Sequence, residues 1–283
     1  MQLWYDIVDF LLPFEWAEPG ESFFMKNALL AVLLIAPIFG ILGTMIVNNR
    51  MAFFSDALGH GAFTGIAIGS ILGVLQPVWA AVLFSILFSV MITLVKNRSR
   101  ASTDTIIGVF SSTAIAAGLV MMSLGGSSIN RYSAYLVGDL LSISPSDLLM
   151  LAFILAGVII LWFLMFNKLF LISVNPSLAG SRSVNILAVE TIFTSVIAVI
   201  VTVSIQWVGL LIINSLLVLP AAAARNVSAN VRQYHLVSVL LALFSGVLGL
   251  LLSYYWDSAT GATIVLICAL FYFITLLLKN RIG

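Results

Sequence analysis

Asp56 and His60 stand four residues apart in a stretch, residues 53–75, that is otherwise apolar, small or hydroxylic. On a helix, residues i and i+4 share one face, with Cβ atoms about 5–6 Å apart. A carboxylate oxygen beside a neutral imidazole nitrogen is a ligand pair for borderline divalent ions, zinc first, with manganese and iron acceptable. Two ligands do not hold an ion alone. A two-fold pairing of chains beside this helix would supply two carboxylates and two imidazoles, enough for a tetrahedral site. Without a thiolate such a site releases its ion, which conduction requires. The competing reading is a plain Asp–His hydrogen bond that pins two helices.

Other polar residues in apolar runs are less specific. Asn214 is a candidate additional pathway residue, able to offer an oxygen ligand or to bond a neighbouring helix. Pro220 marks a candidate gating kink. Glu190 is expected in an interfacial salt bridge, Asp104 as an acid at a helix start, and His235, near Arg232, in solvent. Gly59, Gly61, Gly65, Gly69 and Gly73 give a small-residue spacing that would bring the Asp56/His60 helix close to a central axis.

The elements that must position these residues follow from composition. Of 283 residues, 62% are hydrophobic and 8% charged, which excludes a water-soluble globule. The net charge of +1 excludes nucleic acid as a partner, and one cysteine, Cys268, excludes a disulfide framework or a multi-thiolate centre. A spanning helix needs about 20 apolar residues. Continuous apolar runs predict an all-α polytopic membrane protein with spans at 28–47, 53–75, 78–95, 104–124, 147–166, 186–204, 208–224, 236–254 and 262–278. Eight spans result if 186–224 is one helix. Counting about 1.5 Å per residue from Arg50 places Asp56 and His60 some 9–15 Å into the hydrocarbon.

Orientation follows from the excess of Lys and Arg on the cytoplasmic side. With nine spans and the N-terminus outside, Arg50, Lys96, Arg98, Arg100, Lys168, Arg182, Arg225, Arg232, Lys279 and Arg281 all fall inside, leaving Lys26 and Arg131 outside. The C-terminus is then cytoplasmic. Residues 1–26 form an acidic, amphipathic N-terminal segment, the reverse of a secretory leader, expected at the membrane interface or as a disordered arm. Residues 27–283 form one permease-like transmembrane domain. Residues 129–146, with Arg131, Gly138, Asp139 and Pro145, lie on the outer side. Residues 167–185 lie inside, and Asn175 before Pro176 reads as a helix start. No phosphate loop, zinc-protease or nucleophile-elbow motif occurs, so nucleotide hydrolysis would need a separate chain.

The chain resembles the permease subunits of bacterial ABC importers of zinc, manganese or iron. The matching stretches are residues 50–63 (RMAFFSDALGHGAF), 104–108 (DTIIG), 135–141 (YLVGDLL), 208–211 with 219–225 (VGLL and LPAAAAR) and 257–262 (DSATGA). The resemblance implies a homodimeric channel in the bacterial cytoplasmic membrane, two cytoplasmic ATP-binding subunits and an extracytoplasmic metal-binding solute-binding protein. It places the family's pathway acid and histidine at Asp56 and His60. It places the coupling helix that contacts the ATPase at Asn175, Pro176, Ser177, Leu178 and Ala179. The chain departs from the family's pattern at Ser177, where an acid is frequent, at Ser183, where glycine is common, and at Asn214, where a small or hydroxyl residue is usual. The expected function is the permease of an ATP-driven importer of zinc or manganese working by alternating access. It would do no covalent chemistry and hold no permanent cofactor, with ATP bound only by the partner. The alternative is a secondary transporter in which Asp56 and His60 relay protons.

Overall fold

The computed structural model describes residues 2–11, 23–74, 77–124 and 138–282. Its described residues form α-helices joined by short turns, with no strand among them. We number them α1 (Gln2–Leu11), α2 (Phe23–Asn48), α3 (Phe54–Ile71), α4 (Pro77–Arg98), α5 (Thr103–Leu124), α6 (Pro145–Val174), α7 (Pro176–Ser181), α8 (Ile186–Val208), α9 (Leu210–Val227), α10 (Val231–Tyr255) and α11 (Thr260–Ile282). Eight of them, α2, α4, α5, α6, α8, α9, α10 and α11, are long and apolar enough to cross a membrane. The ninth expected span is also a helix, α3, but its acid, imidazole and glycines leave it less apolar than the others.

The helices sort into two groups. In one, α3 packs against α4, α5 and α8, and touches α9. In the other, α2 is the hub, flanked by α6, α9 and α10, with α11 against α9 and α10. Glycine sets the closest approaches. A Cβ on Gly43 would lie 2.0 Å from the carbonyl oxygen of Leu217, so α2 and α9 meet backbone to backbone. Ser238 Oγ donates to the carbonyl of Gly40 at 2.7 Å, closing α10 onto α2. Between α4 and α8 runs a polar ladder. Thr93 and Thr194 hydroxyls are 2.9 Å apart, Lys96 Nζ donates to Glu190 Oε1 at 2.9 Å and Asn97 Nδ2 donates to Glu190 Oε2 at 2.8 Å. Glu190 is thus in the expected salt bridge. Such interhelical bonds give apolar helices a register that lipid-like packing alone does not.

The stretch 186–224 divides into two helices, α8 and α9, as the nine-helix reading requires. The break lies at Gly209 rather than between 204 and 208, at Gln206–Trp207, where the expected spans left it, because a glycine at φ +78° lets the chain reverse there in one step. Gly138, at φ +71°, lies against this reversal so closely that a Cβ would sit 2.3 Å from Gly209 N. At the other turns the expected punctuation holds: Ser102 Oγ accepts from Thr105 N at the start of α5, with Asp104 in the first turn. Ser183 stands at φ +59°, which explains why a glycine suits that position.

The N-terminal segment forms α1, docked on the start of α2. Lys26 is fully buried and pairs with Asp9, Trp4 Nε1 donates to the carbonyl of Lys26 at 2.9 Å, and Tyr5 donates to Asn27 Oδ1 at 2.9 Å. Burying an ammonium demands such a partner. Residues 129–137 of the expected outer loop, Arg131 among them, lie outside the described residues. Its remainder forms a 3₁₀ turn, Leu140–Ser142, with Ser142 Oγ donating to the Asp139 carboxylate, ahead of Ser144 and Asp147 in a capping box on α6.

Gly43→Ala pushes two backbones apart and is expected to cost about 1–3 kcal/mol. Gly108, with open space around its Cβ position, serves as the control. Thermal unfolding of the purified chain should show Gly43→Ala melting several degrees low and Gly108→Ala at or slightly above wild type; equal melting points would refute the close-approach account.

Candidate metal pathway

The chain enters α3 through a turn at residues 51–53, with Arg50 at φ +55° and Met51 N donating to Ile46 O at 2.9 Å. Asp56 therefore lies in the first turn of α3 and His60 in the second. The helical rise assumed from Arg50 does not apply across that turn. From Phe54 to Gly65 every residue of α3 is buried except Asp56 and His60. One face explains the burial: Gly61, Gly65 and Gly69 lie against Phe88, Ala81 and Ala80 of α4. A Cβ at Gly65 would come 2.6 Å from the Ala81 Cα. The glycine row thus packs on α4 of the same chain. Gly59 meets Leu210 of α9, and Gly73 is a turn residue at φ +68° in open space. Thr64, which donates to the Ala114 carbonyl at 2.6 Å, and Gly118, against Phe63, fasten α5.

Asp56 and His60 share the remaining face. His60 Nε2 is 3.4 Å from Asp56 Oδ2, with the imidazole 12% and the carboxylate 39% exposed. Asn214 of α9 joins them: its Nδ2 donates to Asp56 Oδ1 at 3.0 Å. This contact fixes the amide, because the NH2 group must face the carboxylate. Asn214 Oδ1 is left buried with no hydrogen-bond partner. A buried acceptor without a partner costs free energy, on the order of 1–3 kcal/mol. Asn214 also lies in a row with Leu211, Val218, Ala222 and Arg225, all at least partly accessible and three or four residues apart, so one face of α9 is open along its length. Pro220 is buried inside α9, which continues through it. Among the described residues no three His, Cys, Asp or Glu side chains gather at one place. The set that does gather in one chain is one carboxylate and one imidazole, hard and borderline donors, with the Asn214 amide holding the carboxylate through its NH2 group.

The remaining sequence-derived sites are placed as follows. Asn175 Oδ1 accepts from Leu178 N at 3.1 Å and Pro176 occupies the first helical position of α7. Asn175, Pro176, Ser177 and Leu178 are exposed, whereas Ala179 is fully buried and anchors the short helix to the bundle. His235 is not in solvent. Its ring lies 5.1 Å from that of Trp162, 5.5 Å from Phe166 and 5.6 Å from Tyr234, Nδ1 is 2.7 Å from the Val231 carbonyl, and Nε2 is buried without a partner. The aromatic residues of α6 that enclose it are spaced four apart, a helical signal the sequence did carry. The bond from Asn214 to Asp56, 158 residues apart, had no local signal.

The ABC 3 transport family model matches residues 21–279, and the chain belongs to that family. It is 31% identical to the high-affinity zinc uptake system membrane protein ZnuB of Haemophilus influenzae over 90% of this chain and 97% of that protein. It is 29% identical to the manganese import system permease protein ScaB of Streptococcus parasanguinis, over 91% of each. Among solved structures, PsaBC from Streptococcus pneumoniae in complex with Fab matches with a TM-score of 0.77 at 25% identity, covering 97% of this chain and 95% of that one. The protein is a multi-pass membrane protein of a transport family.

Accessibility of the pair is directly measurable. Cys268 is 1% exposed, so the native thiol gives little background. Asp56→Cys and His60→Cys should react with a small water-soluble thiol reagent roughly tenfold or more faster than Ala57→Cys and Ala62→Cys, whose positions are fully buried. Equal labelling of the four would contradict the placement.

Proposed function

We propose that this chain is the pore-forming permease of an ATP-driven importer of zinc or manganese, and that the ion passes Asp56, His60 and Asn214. The observation that carries the reading is the pair's position: Asp56 and His60 are the two accessible residues on a twelve-residue stretch of α3 that is otherwise buried. An ionisable pair inside a membrane protein costs about 2.5–3.5 kcal/mol per charged group unless it faces a partner or a pathway. The bond from Asn214 to Asp56 supports the same reading, since it holds the carboxylate in place beside the imidazole. Two chains related by a two-fold axis bring two carboxylates and two imidazoles, and the absence of thiolate favours release over retention.

The chain sits in the bacterial cytoplasmic membrane with α3 as a ninth span, its N-terminus outside and its C-terminus inside, the arrangement that gathers ten of the twelve Lys and Arg residues on the cytoplasmic side. An external solute-binding protein delivers the ion to the outer ends, near Asp139 and the 129–146 segment. Cytoplasmic ATPase subunits grip the exposed part of α7, from Asn175 to Leu178, with Ala179 as its root. Their closure moves α7 and the turn to residue 185, residues 167–174 being the end of α6, and reorients α8 and α9 around the ion, α9 flexing about Pro220. Helix α1, residues 2–11, is an accessory segment docked on the start of α2. Membership of an ABC family and the names of the zinc and manganese relatives support the ATP-driven reading over a proton relay.

Metal accumulation in cells carrying the full set of subunits tests the reading. Asp56→Ala and His60→Ala should each lower zinc or manganese uptake at least tenfold at equal membrane abundance, by the loss of a ligand worth roughly 1.4 kcal/mol or more. Wild-type accumulation in both variants would defeat the site assignment.

A further inference from the structure

The ends of α2, α6, α9 and α10 on the side rich in Lys and Arg enclose a cavity of about 260 Å³. Its lining is divided. Arg225, Asn48, Ser228 and Asn230 form a polar wall, and Phe170 and Tyr234 an apolar one. Among the described residues Arg225 has no ion-pair partner, the Asn48 side chain has no hydrogen bond, and Ser228 Oγ is buried without one. The cavity also meets the first turn of α10, the end of a 25-residue helix that carries partial positive charge.

The contributing elements supply no anion. Residues 27–55, 166–189 and 220–256 contain no Asp or Glu, yet they hold Arg50, Lys168, Arg182, Arg225 and Arg232. None of these stretches offers the exposed Arg225 a carboxylate. A cationic pocket between spans at the cytoplasmic boundary faces the anionic leaflet of the membrane. Its second, aromatic wall suits a ligand that is charged at one end and greasy at the other.

We propose that this cavity binds the phosphate of an anionic phospholipid of the cytoplasmic leaflet. Arg225 makes charge-assisted bonds to the phosphate oxygens, Asn48 Nδ2 and Ser228 Oγ donate to them, and Phe170 and Tyr234 hold the glycerol and upper chain. The proposal rests on the inward orientation given above but not on the metal pathway, so loss of transport in Asp56 variants says nothing about it.

Native mass spectrometry of the full chain, from micelles containing equal phosphatidylglycerol and phosphatidylcholine, provides the test. The wild type should retain one phosphatidylglycerol preferentially. Arg225→Gln should weaken that adduct roughly tenfold, the loss of one charge-assisted contact. Ser228→Ala should weaken it less, and Arg225→Lys should keep part of it. Lys168→Gln, an exposed charge outside the cavity, should leave it unchanged. Equal retention of phosphatidylcholine would overturn the proposal, as would equal losses in Arg225→Gln and Lys168→Gln. Displacement by millimolar inorganic phosphate would reassign the site to a soluble anion. An Arg225→Gln chain that keeps the lipid but no longer assembles with its ATPase would assign the arginine to a protein contact and overturn it too.

Discussion

A helix that carries an acid, an imidazole and a row of glycines is too polar to face lipid tails, and this requirement organises the bundle. α3 is stable in hydrocarbon only if other helices cover it. Glycine makes the cover tight: with no Cβ at Gly61, Gly65 and Gly69, α4 approaches close enough for its backbone to touch. Dispersion at that distance replaces the hydrophobic effect, which gives no drive for helix association inside a bilayer. α5 and α8 close two further sides, and α9 leaves one strip open. On that side the carboxylate and the imidazole stay partly accessible.

The two faces of α3 therefore do opposite work. One is smooth and fixes the helix against its neighbours. The other presents groups whose charge is tolerable only with a partner. Asn214 orients the carboxylate by donating to one oxygen, His60 approaches the other, and the amide's own oxygen is left without a donor. A buried acceptor left without a donor is costly. The polar ladder between α4 and α8, ending in Lys96 and Glu190, ties the α3 sheath to the helix that follows the short exposed α7.

Much of this architecture was readable in the sequence because membrane helices announce themselves by length and apolarity, and because turn chemistry is local. Asn175 before Pro176, Ser102 before Asp104, and Glu190 one or two turns from a helix start each behaved as their neighbours dictate. The failures were of a different kind. The reversal at Gly209 was placed three residues early because tryptophan and glutamine look like an interface, while the conformational freedom of one glycine decided the matter. The glycine row of α3 specifies closeness but not to which helix, and it closes on α4. His235 looked solvated beside Arg232, yet Trp162 and Phe166, from a helix 70 residues earlier in the chain, enclose it. Long-range partners of single polar residues, Asn214 with Asp56 above all, leave no periodic trace.

The most direct measurement of the central claim is X-ray absorption at the metal edge of the assembled transporter loaded with zinc. The account predicts a first shell of nitrogen and oxygen only, with imidazole scattering that disappears in His60→Ala while the assembly stays intact. A shell containing sulfur, or an unchanged imidazole signal in that variant, would contradict it.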